Sequence, residues 1–212
     1  LEEIAAFIVA DGKGILAADE SNPTCGKRLE AIGVESTEDS RRGYREMLFR
    51  AEGMKHNIGG VILFDETIRQ KAEDGTPLVD LIKTQGALPG IKVDKGLKPL
   101  EDSPEESVTQ GLDGLNERCN EYERMGAKFA KWRAVIKIGE TIPSDNCIKQ
   151  NMEALSKYAK IVQNNKMVPI VEPEVLMDGN HSLERCFEVN SKTLATLFNC
   201  LDDYGINIKG TL

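Results

Sequence analysis

Short apolar runs recur along the chain, each led by a turn residue and followed by a segment with helical punctuation. They read Gly14-Ile15-Leu16-Ala17-Ala18, Gly60-Val61-Ile62-Leu63-Phe64, Gly90-Ile91-Lys92-Val93, Ala127-Lys128-Phe129-Ala130-Lys131-Trp132, Val168-Pro169-Ile170-Val171 and Asn207-Ile208-Lys209-Gly210-Thr211-Leu212. Their starts at 14, 60, 90, 127, 168 and 207 are separated by 46, 30, 37, 41 and 39 residues. A strand with its crossover helix needs about 30 residues or more, so each interval fits one βα unit. Near-continuous apolar strands belong to parallel sheets covered on both faces.

Between the runs, polar and apolar positions alternate with a helical period. Ser36-Thr37 opens an amphipathic run through Phe49 that closes near Gly53. Thr76-Pro77 offers an N-cap with a proline at the first helical position, and Gly86 ends that helix. Ser144 opens the stripe Met152, Leu155, Tyr158, Ala159, Val162, and Ser182 opens Phe187, Val189, Leu194, Leu197, Leu201, closed by Gly205. These stripes are expected to pack on a sheet. No linker or low-complexity segment divides the chain, so a single domain spanning 1–212 is expected. The alternation fits an α/β fold, either a (βα)8 TIM barrel or a doubly wound sheet. No G-x-G-x-x-G follows a strand and no G-K-[ST] loop exists, which favours the barrel.

Composition narrows the function classes. Of 212 residues, 27 are Lys or Arg and 35 Asp or Glu, giving a net charge of −8. With pI about 5.0 and mean hydropathy −0.35, a basic nucleic-acid face is not expected. No run reaches the ~18–20 apolar residues of a membrane span, and no signal peptide is recognisable. Five cysteines without a C-x-x-C pair suggest reduced thiols, hence a cytoplasmic protein. His56 and His181 stand too far apart in sequence for a His-rich zinc site, so neither metal nor other cofactor is expected. The Asn180-His181-Ser182 sequon is read as chance.

Charges occur where strands should be apolar. Asp19 ends the first run; Lys92 and Asp94 share one face of the third by alternation, Lys131 and Arg133 one face of the fourth, and Glu172 and Glu174 one face of the fifth. A lone buried charge is costly, so each is expected to have a partner or a chemical task. In a (βα) barrel the C-terminal strand ends converge on one mouth, where lysines set among carboxylates can become nucleophiles towards carbonyls. A ring of ion pairs that only fills the barrel is the plainer reading. Lys27-Arg28 and Arg41-Arg42 read either as surface charge or as a phosphate clamp.

The strings Ile15-Leu16-Ala17-Ala18-Asp19-Glu20-Ser21, Gly90-Ile91-Lys92-Val93-Asp94-Lys95-Gly96, Thr109-Gln110-Gly111-Leu112-Asp113-Gly114-Leu115, Phe129-Ala130-Lys131-Trp132-Arg133 and Val168-Pro169-Ile170-Val171-Glu172-Pro173-Glu174 closely resemble class I fructose-1,6-bisphosphate aldolase, nearly end to end. The resemblance implies a cytosolic glycolytic lyase, a homotetramer, that cleaves fructose 1,6-bisphosphate to dihydroxyacetone phosphate and glyceraldehyde 3-phosphate through a lysine Schiff base. It further implies a phosphorylated sugar as partner, a family-type cytoskeletal association, and neither nucleic acid nor membrane insertion.

Position by position, the resemblance implies that Asp19 contacts the C4 hydroxyl beside the scissile bond. Lys92 and Lys131 flank the imine site, Glu172 shuttles protons, and Glu174 supports it. Arg133 joins the charge network, while Lys27, Arg28 and Arg41, with Lys131, contribute to phosphate binding. Asn22-Pro23-Thr24-Cys25 departs from the family's small-residue string. The family's imine-forming lysine follows a Gly-Thr-Leu-Leu-Lys-Pro-like string, of which Gly210-Thr211-Leu212 matches the beginning. The chain is therefore expected to supply five βα units and a sixth strand of a longer protein, and to be inactive by itself. A non-catalytic remnant and another lysine-based barrel, such as deoxyribose-phosphate aldolase, are the alternatives.

Overall fold

A computed structural model describes residues 1–212. In chain order the elements are α1 (Glu2–Ile8), β1 (Gly14–Ala18), α2 (Asn22–Glu30), α3 (Glu38–Phe49), α4 (Met54–Asn57), β2 (Ile58–Leu63), α5 (Asp65–Ile68), α6 (Leu78–Thr84), β3 (Leu88–Lys92), β4 (Leu97–Leu100), β5 (Ser103–Thr109), α7 (Leu115–Arg124), β6 (Phe129–Ile136), α8 (Asp145–Asn164), β7 (Val168–Val175) and α9 (Leu183–Asp203). A 3₁₀ turn at Ile208–Gly210 follows. Five strands form one sheet in the order β1-β2-β3-β6-β7, with β4-β5 a separate pair. The residues group into two compact units, one of Glu2–Lys92 with Glu121–Ala130, the other of Leu1, Val93–Asn120 and Lys131–Leu212.

In the first unit β1, β2 and β3 run parallel, with Ala18 opposite Leu63 and Leu63 opposite Ile91. Gly59 to Leu63 are all buried, as the unbroken apolar run requires of a strand covered on both faces. Two glycines of this sheet make room for one ring. A Cβ on Gly60 would lie 2.9 Å from Phe129 Cε1, and one on Gly90 only 2.2 Å from Phe129 Cε2. Helix α3 starts as expected, with Thr37 and Ser40 closing a capping box. It ends at Phe49, well before Gly53. Thr76 does not cap α6. Its carbonyl accepts from Ala72 N at 2.7 Å in the preceding turn, and Pro77 occupies the N-cap without a side-chain bond.

In the second unit, alternation on β6 is clean: Trp132, Ala134 and Ile136 are buried, whereas Lys131, Arg133 and Val135 are half-buried. The α8 stripe Met152, Leu155, Tyr158, Ala159 and Val162 is wholly buried, with Tyr158 tilted against Trp132 at 5.4 Å between ring centroids. On α9, Val189, Leu197 and Leu201 are buried, but Phe187 is 73% exposed and Leu194 lies outside the core as well, so the expected stripe is narrower. The antiparallel β4-β5 hairpin has no counterpart in the sequence reading.

The expected sixth strand at 207–212 is corrected. Asn207 accepts from Gly210 N through its side chain, and this cap turns 208–210 into a 3₁₀ helix. Only Leu212 is placed against β7: its carbonyl accepts from Val171 N at 2.9 Å and its N–H donates to Pro169 O at 3.0 Å, the alternation of a parallel ladder.

Candidate active site

The second unit carries five of the charged residues singled out above: Asp94, Lys131, Arg133, Glu172 and Glu174. Strand alternation puts Lys131 and Arg133 on the half-buried face of β6, and Glu172 and Glu174 on half-buried positions of neighbouring β7. Lys131 Nζ lies 2.9 Å from Glu172 Oε2, and Arg133 Nε pairs with Glu174 Oε2. The Glu174 hydrogen bond holds the Arg133 guanidinium above its ordinary range, with Glu172 and Asp94 adding to the effect. Asp94 reaches the Arg133 N–H at 3.5 Å. The backbone beneath is fixed by Val93 N donating to Lys131 O at 3.0 Å and Thr109 Oγ1 donating to Arg133 O at 2.8 Å. Two cations on β6 and two carboxylates on β7, with Asp94 beside Arg133, are thus held with few degrees of freedom. Such an array can hold an anionic group and move a proton at a carboxylate.

The first unit holds Asp19, Lys27, Arg28, Arg41 and Lys92. Asp19 lies just past β1 and is 8% exposed; Lys92 is the last residue of β3. The basic quartet is largely engaged by carboxylates. Arg41 grips Glu66 with Nε at 2.8 Å and Nη2 at 2.7 Å, Arg28 pairs with Glu20, and Arg42 pairs with Asp39 and Glu46. The two-pronged Arg41 contact, chiefly through its hydrogen bonds, pulls the Glu66 carboxyl below its ordinary value against the opposing effect of burial. Lys27 is exposed on α2.

Three residues of this network escaped the sequence reading. Glu20 lies beside Asp19 and meets both Arg28 and Arg45; Glu66 joins Arg41 to Asn22, whose Nδ2 donates at 3.2 Å. Arg45 follows Arg41 by one helical turn, so the i, i+4 spacing on α3 was the available signal. Glu66 had none, because its partner stands 25 residues away.

The family described as fructose-bisphosphate aldolase class-I matches residues 1–212. Fructose-bisphosphate aldolase C of Carassius auratus is 55% identical over 213 residues, covering 100% of this chain and 59% of that protein. Cytosolic fructose-bisphosphate aldolase 6 of Arabidopsis thaliana is 52% identical over 208 residues, covering 98% of this chain and 58% of that one. A solved fructose-bisphosphate aldolase of Plasmodium falciparum, in complex with TRAP and a small-molecule inhibitor, superposes with a TM-score of 0.97 at 47% identity, over 99% of this chain and 61% of that one. That superposition agrees with a part of a TIM barrel, the fold expected from the repeated βα pattern. The chain spans about three fifths of the length of these relatives. With the family match running from the first residue to the last, this chain belongs to the class-I fructose-bisphosphate aldolases.

Proposed function

We propose that the protein carrying this chain is a glycolytic lyase that reversibly cleaves fructose 1,6-bisphosphate to dihydroxyacetone phosphate and glyceraldehyde 3-phosphate. A lysine amine adds to the C2 carbonyl and loses water to give an iminium. The C4 hydroxyl loses its proton, the C3–C4 bond breaks, and its electron pair moves into the iminium as an enamine. Glyceraldehyde 3-phosphate leaves, the enamine is protonated at carbon, and hydrolysis releases the ketose product. Asp19 takes the place beside the C4 hydroxyl. Glu172 moves protons during carbinolamine dehydration and cleavage, with Lys131 as its cationic neighbour and Glu174 and Arg133 as supporting charges, while Lys92 is assigned, with Lys131, to flank the imine site. Lys27, Arg28, Arg41 and Lys131 serve the phosphates. The imine-forming lysine is the one expected after the Gly-Thr-Leu string.

The observation that carries this reading is the Lys131–Glu172 contact at 2.9 Å between the neighbouring strands β6 and β7, in a chain that belongs to this family. A lysine and a carboxylate placed together on a half-buried strand face are what proton transfer during imine chemistry requires. The cytosol as location, a homotetramer, a cytoskeletal partner and residues 1–212 as a single domain are part of the same proposal. The name of the Arabidopsis relative supports the first of these. The test uses the intact protein: cleavage of fructose 1,6-bisphosphate in a coupled assay, and borohydride trapping with dihydroxyacetone phosphate. Turnover together with a stoichiometric mass shift is expected. Turnover that survives borohydride with substrate, or that needs a divalent metal, would overturn the imine route.

A further inference from the structure

One buried charge of the first unit takes no part in the reaction proposed above. Arg45 on α3 is completely buried, and its Nη2 donates to the Glu20 carbonyl at 2.6 Å while lying 3.6 Å from the Glu20 carboxylate. Its Nε and Nη1, also buried, have no acceptor. A guanidinium that leaves donors unused in the interior is expensive to keep, and a non-polar side chain of similar volume is often tolerated in its place. Its one short bond falls on the residue after Asp19, in the connection between β1 and α2 that has no ladder hydrogen bonds. At the start of helix α2 the Ser21 side chain caps no backbone N–H; its hydroxyl bonds the Thr24 hydroxyl of the same helix at 3.1 Å, so α2 offers no capping bond that would fix the connection. Helix α3, by contrast, is anchored by its capping box.

We infer that Arg45 is a positioning residue, which fixes the Asp19-Glu20 turn by holding the Glu20 carbonyl and so sets where the Asp19 carboxylate stands. The role assigned to Asp19 is taken from the proposed aldolase reaction; the mechanical part of the inference is independent of it. Arg28, which binds the outer side of the Glu20 carboxylate, cannot do the same, since it holds the side chain and is mostly exposed.

The test compares Arg45→Met, Arg45→Lys, Asp19→Asn and the Arg45→Met/Asp19→Asn double variant in the intact protein, with two readouts. In Arg45→Met, amide exchange across 19–25 is expected to speed up by about tenfold or more while that of β2 hardly changes. The kcat is expected to fall by about 10- to 100-fold with KM little altered, as a displaced group costs, and Arg45→Lys to recover part of it. In the Asp19→Asn background, Arg45→Met should cost nothing further. An equal loss in both backgrounds, or unchanged exchange over 19–25, overturns the inference. If Arg45→Met does not fold, Arg45→Lys against wild type carries the same comparison. A wild-type protein without cleavage would overturn the aldolase reading instead, and the exchange measurement would still decide for or against Arg45.

Discussion

Lys131 Nζ and Glu172 Oε2 lie 2.9 Å apart on β6 and β7, strands that are neighbours in the sheet but separated by helix α8 in sequence. The pair is half-buried, so water screens it less than a surface pair, and each partner fixes the other's rotamer. Glu172→Gln keeps the shape and a hydrogen-bonding end but can no longer accept and return a proton. In the intact protein kcat is expected to fall by about 10²–10⁴-fold, the span of general acid–base catalysis, with the circular dichroism spectrum unchanged. Near-normal turnover of the Gln variant would take Glu172 out of the proton shuttle.

The strands of the sheet were legible because Ile, Val and Gly alternate with turn residues on a regular spacing. The structure moves the expected starts at 60, 90 and 127 by two residues each, to 58, 88 and 129. The β4-β5 hairpin was not legible, since Pro99, Pro104, Lys98, Glu105 and Glu106 give it neither an apolar run nor alternation. The last segment misled for the opposite reason. Its Ile208 reads as strand, but the Asn207 side chain captures the Gly210 N–H and bends the backbone first. In the candidate site, charges breaking an apolar strand gave away Lys131, Arg133, Glu172 and Glu174. The Glu20–Arg45 and Glu66–Arg41 pairs join residues 25 apart, and spacing within one element cannot disclose such partners.

Gly90 is required by the ring of Phe129. A Cβ there would stand 2.2 Å from Cε2 and 2.3 Å from Cζ, and β3 cannot retreat while Leu63 and Ile91 remain in register. Gly90→Ala is expected to cost about 1–3 kcal/mol of stability, as overpacking does. Adding Phe129→Leu should return part of that loss. Denaturant unfolding of the three variants measures the coupling, and simple additivity would show that the two residues do not compete for this space.

Glu66 makes stability depend on pH. Its folded carboxyl titrates below the ordinary 4.5, chiefly through the hydrogen bond from Arg41. The unfolded chain therefore binds the proton more readily. The stabilisation is complete above the ordinary value and is lost as pH falls through the lowered one. Glu66→Gln should flatten the decline in unfolding free energy between about pH 6 and about pH 3 relative to wild type. A parallel decline in both proteins would show that the Arg41 pair contributes no linkage.

The thiols divide by burial. Cys25, Cys119 and Cys147 are buried, whereas Cys186 and Cys200 are partly exposed on α9. Burial pushes Cys119 up to about 12, and the same cause raises Cys147 to about 12, with Glu106 adding to it. The thiolate is the reactive form, so native protein at neutral pH should label at Cys186 and Cys200 and spare the other three until denatured. Peptide mapping after a short exposure to a maleimide checks this. Early labelling of Cys119 or Cys147 would mean that α7 or the N-terminal turn of α8 opens in the native state.

A polypeptide of residues 1–212 alone is expected to form no imine. Lys209, the nearest to the family's Gly-Thr-Leu string, stands in the 3₁₀ turn, exposed, and three residues ahead of Leu212, the residue that pairs with β7. Lys131 is engaged as the cationic half of the Glu172 pair, and an ammonium has no lone pair with which to attack a carbonyl. Lys92 ends β3, and the role proposed for it is to flank the imine site, not to attack the carbonyl. Trapping with dihydroxyacetone phosphate and borohydride is therefore expected to leave the mass of the 1–212 polypeptide unchanged, while the intact protein gains one adduct. Peptide mapping places any adduct that forms. A stoichiometric adduct on Lys92, Lys131 or Lys209 of the short polypeptide would overturn the roles given to these lysines, because an attacking amine would then reside within the five-stranded sheet or its final turn.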